Sequence, residues 1–240
     1  MMLDEILASI FPGGHRVIRE SGLVTGGGML VGHGWIDVLG ISGAKGLGVE
    51  DACCLAGRVI EVVQRGDRGP LLLLIDSSSQ RMSRRDELLG LNEYLAHLAK
   101  ALVLASAAGH RVIALLYGDS AAGAFIATAL AADTLVALPG AHPEVMDLPS
   151  MARVTKLPIE ILKEKARATP VFAPGLDNLA RTGAVFATWS PNQPLAFQLL
   201  ALLAKPSAAG SRDTLGAQRG GRKEAAGIAA RVITAVQPHG

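Results

Sequence analysis

The sequence is poor in cysteine, and its two cysteines, Cys53 and Cys54, stand side by side. Neighbouring cysteines cannot join distant parts of a fold, and this pair lacks the spacing of a metal site. Because both lie within a helical pattern, we interpret them as reduced thiols in the core of an intracellular protein. The scarcity of cysteine therefore excludes a disulfide-stabilised scaffold.

Aromatic residues, net charge and long apolar runs are also scarce. Aromatics make up 4% of the chain, which leaves no stacking platform for bases, and a net charge of +2 is too small to indicate nucleic acid or an anionic membrane as partner. The longest apolar stretches, at 125–132 and 195–204, are well short of the ~20 residues that span a bilayer. No basic and apolar leader opens the chain, so we expect no signal peptide. We therefore expect a cytoplasmic protein with no nucleic acid and no membrane among its partners.

The chain is rich in small and aliphatic residues. Half of its 240 residues are hydrophobic and 28 are glycine, which is enough for a substantial core in one domain or at most two. Residues 205–240 carry six basic residues against two acidic ones. We predict one domain over 1–205 and a basic linker and helix over 206–240, which either docks an acidic partner or is a solvated C-terminus.

Three unbroken apolar runs predict strands that are buried on both faces, as in a parallel sheet covered by helices. They lie at 71–75, 112–116 and 135–138. Helical patterns at 86–107 and 121–132 separate them, which predicts right-handed βαβ crossovers. The expected fold class is therefore α/β.

The remaining segments predict strands before this sheet and helices after it. They are short strands joined by glycine turns over 21–42, an amphipathic helix over 49–64, a helix over 158–167, a loop-rich stretch over 169–194, an apolar helix over 195–204, a mobile linker over 207–222 and a last helix over 223–236.

The segment best suited to chemistry runs from Tyr117 to Phe125, where a buried strand ends and a helix of small residues begins. Free backbone N–H groups at a helix start favour an anion or a developing oxyanion. We predict an oxyanion hole made by the N–H groups of Gly123 and Ala124. The alternative, equally compatible with the local sequence, is a tightly packed corner that needs small residues.

The same segment begins like the nucleophile elbow of serine hydrolases, G-x-S-x-G, with Ser120 as the nucleophile. The fifth position is Ala122, however, and a triad would also need a later acid and then a histidine. Only His142, which precedes the candidate acids, and His239, next to the chain end, follow the serine. The hydrolase is the weaker alternative.

Polar residues 76–80 directly follow the first buried strand. Ligands usually bind at the carboxyl ends of parallel strands, so Ser77 and Ser78 are candidates for substrate binding. The competing interpretation is that these hydroxyls cap the loop and the following helix.

Basic residues and histidines give weaker signals. Lys45 lies in a glycine-rich stretch, 43–48, that matches neither a P-loop nor a dinucleotide fingerprint, although it could meet a phosphate of a pantetheine arm. The histidines show no metal spacing, so we predict no metal site. The arginines at 81, 84 and 85 are either solvated or recognise an acidic carrier protein.

Several motifs together resemble a known family. Residues 71–146 resemble the carboxyltransferase branch of the crotonase superfamily, with Ala121-Ala122-Gly123-Ala124 at the position of that branch's Tyr-Gly-Gly-Ala. Over about residues 12–205 the chain looks like the malonate decarboxylase gamma subunit family. The motifs that carry this wider resemblance are Gly40-Ile41-Ser42-Gly43-Ala44-Lys45-Gly46-Leu47-Gly48, Ile75-Asp76-Ser77-Ser78-Ser79-Gln80, Leu116-Tyr117-Gly118-Asp119-Ser120-Ala121-Ala122-Gly123-Ala124 and Trp189-Ser190-Pro191-Asn192-Gln193-Pro194.

The resemblance implies a crotonase (ClpP)-like fold, with parallel sheets of ββα and βαβ units covered by helices. It also implies one half of a biotin-independent decarboxylase, which a beta-type subunit completes and which converts a malonyl thioester on an acyl carrier protein to the acetyl thioester and carbon dioxide. The carrier holds a phosphopantetheine-type arm, and no cofactor is expected on this chain itself.

The resemblance further assigns site residues. The oxyanion donors are Gly123 and Ala124, and Ala122 stands where the carboxyltransferases have glycine, which puts biotin-dependent carboxyl transfer in doubt. The expected substrate-binding residues are Ser120, Ala121, Ser77 and Ser78. Besides the hydrolase, the alternatives are a carboxyltransferase subunit of a biotin-dependent carboxylase and a non-enzymatic scaffold for a catalytic partner.

Overall fold

The computed structural model describes residues 1–170, 173–207 and 210–236. Seven strands form one sheet in the order β1-β2-β3-β4-β5-β7-β9, and β6 and β8 form a second, two-stranded sheet. The first three strands of the large sheet are antiparallel and the rest are parallel. The strands are β1 (Ile18–Glu20), β2 (Leu23–Leu30), β3 (Gly34–Ile41), β4 (Leu71–Ile75), β5 (Val112–Leu116), β6 (Asp119–Ala121), β7 (Thr134–Ala137), β8 (His142–Glu144) and β9 (Ala187–Thr188).

Helices cover both faces of the large sheet and form the C-terminal part of the chain. Among the described residues, none of the helices combines the length and the apolar character needed to cross a membrane. The helices are α1 (Leu3–Ile10), α2 (Val49–Gln64), α3 (Arg84–Leu88), α4 (Leu91–Ala107), α5 (Ala122–Ala127), α6 (Leu148–Thr155), α7 (Ile159–Ala168), α8 (Leu176–Arg181), α9 (Leu195–Leu203), α10 (Arg212–Gln218) and α11 (Ala225–Val236).

The central parallel strands are buried on both sides, as the unbroken apolar runs predicted. In β4, Leu71, Leu73 and Ile75 pack into the core that contains α2 and α4. Leu72 and Leu74 point the other way, into the core that contains α1 and α9. Because successive strand residues face opposite sides, a strand between two helical layers must be apolar throughout. This confirms the predicted α/β class and the covered parallel sheet.

The helix predicted over 86–107 is two helices. α3 ends at Leu88, α4 begins at Leu91, and Gly90 between them has a φ of +80°. Leu88, which the pattern placed on the apolar face, is 77% exposed. The left-handed turn at Gly90 rotates the chain between the two helices, and this removes Leu88 from the apolar stripe of α4.

The predictions for Cys53 and Cys54 and for the helix at 121–132 also need correction. Both cysteines are exposed, because α2 turns a different stripe of residues towards the sheet. The helix at 121–132 is short: α5 ends at Ala127, and a separate 3₁₀ turn follows at Ala129–Ala131. The buried stripe of α2 is Val49, Asp51, Ala52, Leu55, Ala56, Val59 and Val62.

The segment predicted as a mobile linker, 207–222, contains α10, which is tied to the body of the protein. Arg212 donates to the carbonyl oxygens of Leu130 (2.7 Å) and Ala132 (2.6 Å). Arg219 donates to those of Val185 and Phe186, each at 2.7 Å. Arginines that suggested a solvated tail instead act as hydrogen-bond donors to backbone carbonyls.

Two further predictions concern the C-terminal half. The stretch at 169–194, predicted as loop-rich, also contains α8 and β9, while residues 171–172 and 208–209 lie outside the described residues. The predicted helices over 158–167, 195–204 and 223–236 correspond to α7, α9 and α11. The division into 1–205 and 206–240 stays a proposal.

We expect Arg212→Met to loosen the attachment of α10. The substitution leaves the carbonyl oxygens of Leu130 and Ala132 without this donor, which costs about 1–3 kcal/mol of the free energy of unfolding. Denaturant unfolding and limited proteolysis at 210–222 would measure the loss. Arg231→Met on the exposed α11 is the matched control, and equal behaviour of the two variants would contradict the anchoring role.

Candidate active site

The carboxylate of Asp76 joins three loops at the carboxyl ends of β3, β4 and β5. It accepts hydrogen bonds from the backbone N–H groups of Gly43 (2.8 Å), Ala44 (3.1 Å) and Asp119 (3.2 Å). Gly118 has to be glycine, because a Cβ atom there would clash with this carboxylate. Adjacent parallel strands end at the same edge of the sheet, so one side chain can fix all three loops.

A second set of backbone contacts fixes the loop that follows β4. Leu47 donates its N–H to the carbonyl oxygen of Ser79 (2.9 Å) and accepts from the N–H of Arg81 (2.8 Å). Gln80, between these two residues, forms an isolated parallel bridge with Leu47. The backbone of Gln80 is therefore held on both sides.

The segment Ala122–Ala124, which carries the predicted oxyanion donors, begins α5. Ala122 has a φ of +49°, in the left-handed region, and this directs the backbone from β6 into the helix. The N–H of Gly123 donates to Oε1 of Gln80 at 2.8 Å. Ala124 is fully buried and packs in the core. One predicted donor therefore already has an acceptor, and the other belongs to a residue without exposed surface.

Gln80 is the residue at this site that the sequence did not single out. It lies 43 positions before Gly123 along the chain. The available signal was its place at the end of a polar run after a buried strand, where ligands usually bind. That signal marked the neighbouring serines equally well, so it could not select the glutamine.

The predicted substrate-binding serines fall into two groups. Ser77 and Ser120 are fully buried, and their hydroxyl oxygens lie 3.4 Å apart. Ser78 is exposed, and Ala121 is partly exposed at the end of β6. Of the four, only Ser78 and Ala121 therefore reach the protein surface.

The geometry of Ser120 does not suit a hydrolase. In the parallel pairing of β6 with β8, His142 lies opposite Asp119, and Nδ1 of the histidine is 3.8 Å from Oδ1 of the aspartate. Both side chains are largely exposed, whereas Ser120 is fully buried. Side chains of successive strand residues point to opposite faces, so the histidine and the serine point apart.

Ion pairs hold the glycine-rich loop at 43–48 and the loop after β4 against the start of α2. Lys45 pairs with Asp51 at 3.2 Å, and Arg81 donates to the fully buried carboxylate of Asp86 at 2.6 Å. The hydrogen bonds from Arg81 hold the pKa of Asp86 well below its usual range. Arg81 also pairs with Glu50 at 2.7 Å. Lys45 and Arg81, which the sequence offered for phosphate or carrier recognition, are thus engaged within the chain.

Glu144 places a titratable carboxyl group beside the start of α5. The register of the small sheet sets it opposite Ala121. Burial raises its pKa, and the nearby carboxylates of Asp147 and Asp119 raise it further. A carboxyl group in this environment keeps its proton to higher pH than a solvated glutamate. Within the described part of the chain, no three His, Cys, Asp or Glu residues are grouped so that they could hold a metal ion.

Comparisons with known proteins match one family over most of the chain. The model of the malonate decarboxylase gamma subunit family matches residues 43–236. The malonyl-S-ACP:biotin-protein carboxyltransferase MADD of Malonomonas rubra is 30% identical over 196 residues, which cover 73% of this chain and 67% of that protein.

Solved structures give the same result. A chain of a Pseudomonas malonate decarboxylase hetero-tetramer in complex with coenzyme A superimposes with a TM-score of 0.78 at 25% identity, over 97% of this chain and 98% of that one. A chain of the Pseudomonas MdcD-MdcE hetero-dimer superimposes with a TM-score of 0.75 at 26% identity, over 96% and 98% of the two chains. The fold is that of the crotonase-like carboxyltransferases, as the resemblance implied.

We expect Ala122→Gly to be tolerated or stabilising. Alanine in the left-handed region costs about 1–2 kcal/mol, and glycine relieves this while losing about 0.4–1 kcal/mol through the greater freedom of the unfolded chain. The free energy of unfolding should stay unchanged or rise by up to about 1 kcal/mol. Ala96→Gly, on the exposed side of α4, is the control and should lower it by about 1 kcal/mol. Equal losses in both variants would contradict the strained conformation of Ala122.

Proposed function

We infer the function from the fact that the chain belongs to the malonate decarboxylase gamma subunit family. It is a malonate decarboxylase subunit and so part of a catalytic complex. We propose that this complex is a cytoplasmic lyase that decarboxylates a malonyl thioester on an acyl carrier protein. The products are the acetyl thioester and carbon dioxide.

The proposed partner is a beta-type subunit with a second crotonase-like domain. Relatives with the same fold over nearly the whole chain occur in a hetero-dimer and a hetero-tetramer. The proposed site also lies at the carboxyl edge of the large sheet, where Ser78 is exposed, so a second chain would exclude water from it. The carrier's phosphopantetheine-type arm would deliver the thioester, and coenzyme A, with which the Pseudomonas hetero-tetramer is in complex, contains the same kind of arm.

The chemistry asked of this chain is stabilisation of negative charge. When the bond between the malonyl α-carbon and the carboxyl carbon breaks, its electron pair moves into the thioester carbonyl and forms an enolate oxygen. Carbon dioxide leaves, and a proton on the α-carbon then gives the acetyl thioester. Aligned N–H groups aimed at the enolate oxygen stabilise the transition state more than the substrate.

The observation that supports this assignment is the left-handed turn at Ala122, which begins α5 at Gly123 and Ala124. The family resemblance places the oxyanion donors at these two residues. The N–H of Gly123 already has an acceptor in Gln80, so its part in binding the oxygen depends on that side chain. Ala121 and Ser78 would contact the substrate, whereas buried Ser77 and Ser120 would fix the loops beneath it.

A second candidate function is transfer of the malonyl carboxyl group to a biotin protein. The name of the Malonomonas rubra relative specifies that reaction, and this chain is 30% identical to it. The two functions differ in where the carboxyl group goes, so the requirement for biotin separates them.

The test is turnover of malonyl thioester on carrier protein by the purified chain with and without its beta-type partner. We expect carbon dioxide release from the mixture alone and without added biotin. Gly123→Val should lower the turnover number by about 10²–10³. A Cβ atom there would lie 3.1 Å from Leu95 and 3.2 Å from Gln80, which is tighter than an ordinary contact, and the two methyl groups of valine add further bulk beside the glutamine.

The matched control is Gly57→Val on α2, where a Cβ atom meets open space. It should turn over like the wild type. Release that requires a biotin protein would favour the carboxyltransferase, and ester hydrolysis by the chain alone would favour Ser120 as nucleophile. Full turnover by Gly123→Val would contradict the site assignment, and gel filtration establishes that each variant still assembles.

A further inference from the structure

We propose that Gln80 is a catalytic residue of this site: its side-chain amide, held by Gly123, donates a hydrogen bond to the thioester oxygen. The proposal rests on the function proposed above and names a residue that neither the motifs nor the family resemblance assigned. α5 has only six residues, so the contacts of the Gln80 side chain, and not a helix dipole, place the donor at this site.

The hydrogen bond with Gly123 fixes the orientation of the carboxamide. A backbone N–H can only donate, so the side-chain atom 2.8 Å from it must be the oxygen, Oε1. The amide nitrogen, Nε2, therefore points away from Gly123 with both of its N–H groups. No residue within 1–170, 173–207 or 210–236 accepts a hydrogen bond from Nε2.

The backbone holds the carboxamide in position before any substrate arrives. Ser79 and Arg81, on either side of Gln80, both bond to Leu47, at 2.9 and 2.8 Å. Gln80 is itself only partly exposed, and Oε1 lies against the backbone at Gly123. Donors that are fixed in advance stabilise developing charge without reorganising during the reaction.

Gln80 could instead block the site until the thioester oxygen replaces Oε1 as the acceptor of the Gly123 N–H. The chemistry of these two oxygens makes such a blocking role less consistent. A thioester oxygen is a weaker acceptor than a carboxamide oxygen, so a bound substrate would not displace Oε1 from Gly123 before the reaction begins. A charged oxygen forms hydrogen bonds about twice as strong as neutral ones, but this charge appears only as carbon dioxide leaves. A donor that needs no displacement, Nε2, can respond at that moment.

In the reaction, Gln80 donates a hydrogen bond and is not itself changed. The bond to the leaving carboxyl group breaks, its electron pair moves through the α-carbon to the thioester oxygen, and Nε2 donates a hydrogen bond to the charge that forms there. Gly123 supports this arrangement by holding Oε1.

The experiment compares Gln80→Met, Gln80→Glu and the control Gln64→Met in the complex with the beta-type partner. Methionine keeps the length of the side chain and removes both the acceptor and the donor. Glutamate keeps an acceptor for Gly123 and removes the donor. We expect kcat to fall by about 10²–10³ in both Gln80 variants with little change in KM, whereas Gln64→Met, at the exposed end of α2, stays at the wild-type value.

The outcomes are distinct. An unchanged kcat in both Gln80 variants would overturn the proposal. A raised kcat in both would also overturn it, because it would show that the wild-type side chain blocks the site. A loss in Gln80→Met with wild-type turnover in Gln80→Glu would also overturn it, because only the bond to Gly123 would then matter. Thermal unfolding and gel filtration show whether each variant folds. If Gln80→Met fails to fold, the kcat of Gln80→Glu, which is nearly isosteric with the wild type, tests the proposal. If the wild-type complex releases no carbon dioxide, the proposed function fails instead.

Discussion

The site depends on one carboxylate. Asp76 follows β4 directly and accepts hydrogen bonds from loops that follow β3 and β5, so three consecutive parallel strands share a single anchor. Hydrogen bonds that involve a charged acceptor are among the stronger ones in proteins. With these loops fixed, Leu47 can hold Gln80, and Gln80 can reach Gly123. The arrangement at the start of α5 is thus built from contacts that run across the edge of the sheet.

Much of this architecture is predictable from the sequence, for physical reasons that differ from element to element. The run Leu71–Ile75 predicts a buried strand, because polar residues cannot be placed on either face of a strand between helical layers. The break at Gly90 was not predicted, since a leucine at position 88 fits the helical period whether or not the helix continues. The ordered structure of residues 212–222 was also not predicted, because composition cannot show which arginines donate hydrogen bonds to backbone carbonyl oxygens.

The candidate site was predictable only in part. The small residues at 121–124 point to the right segment, because close approach to a backbone excludes bulk. The hydrogen bond between the N–H of Gly123 and Gln80 joins residues 43 positions apart. It also depends on the turn at Ala122, and a sequence pattern does not indicate the φ of +49° there. The alanine at this position departs from the glycine of the carboxyltransferases, yet the backbone adopts the conformation that glycine favours.

We place the thioester at the start of α5. The most direct test is hydrogen exchange, followed by mass spectrometry, of the complex with its beta-type partner and a malonyl thioester analogue that cannot lose carbon dioxide. We expect slower exchange in peptides covering 119–126 and 76–81 when the analogue is bound, because the analogue covers both segments and reduces the opening of their backbone hydrogen bonds. Unchanged exchange in both segments, while the analogue inhibits turnover, would place the thioester elsewhere and contradict the account.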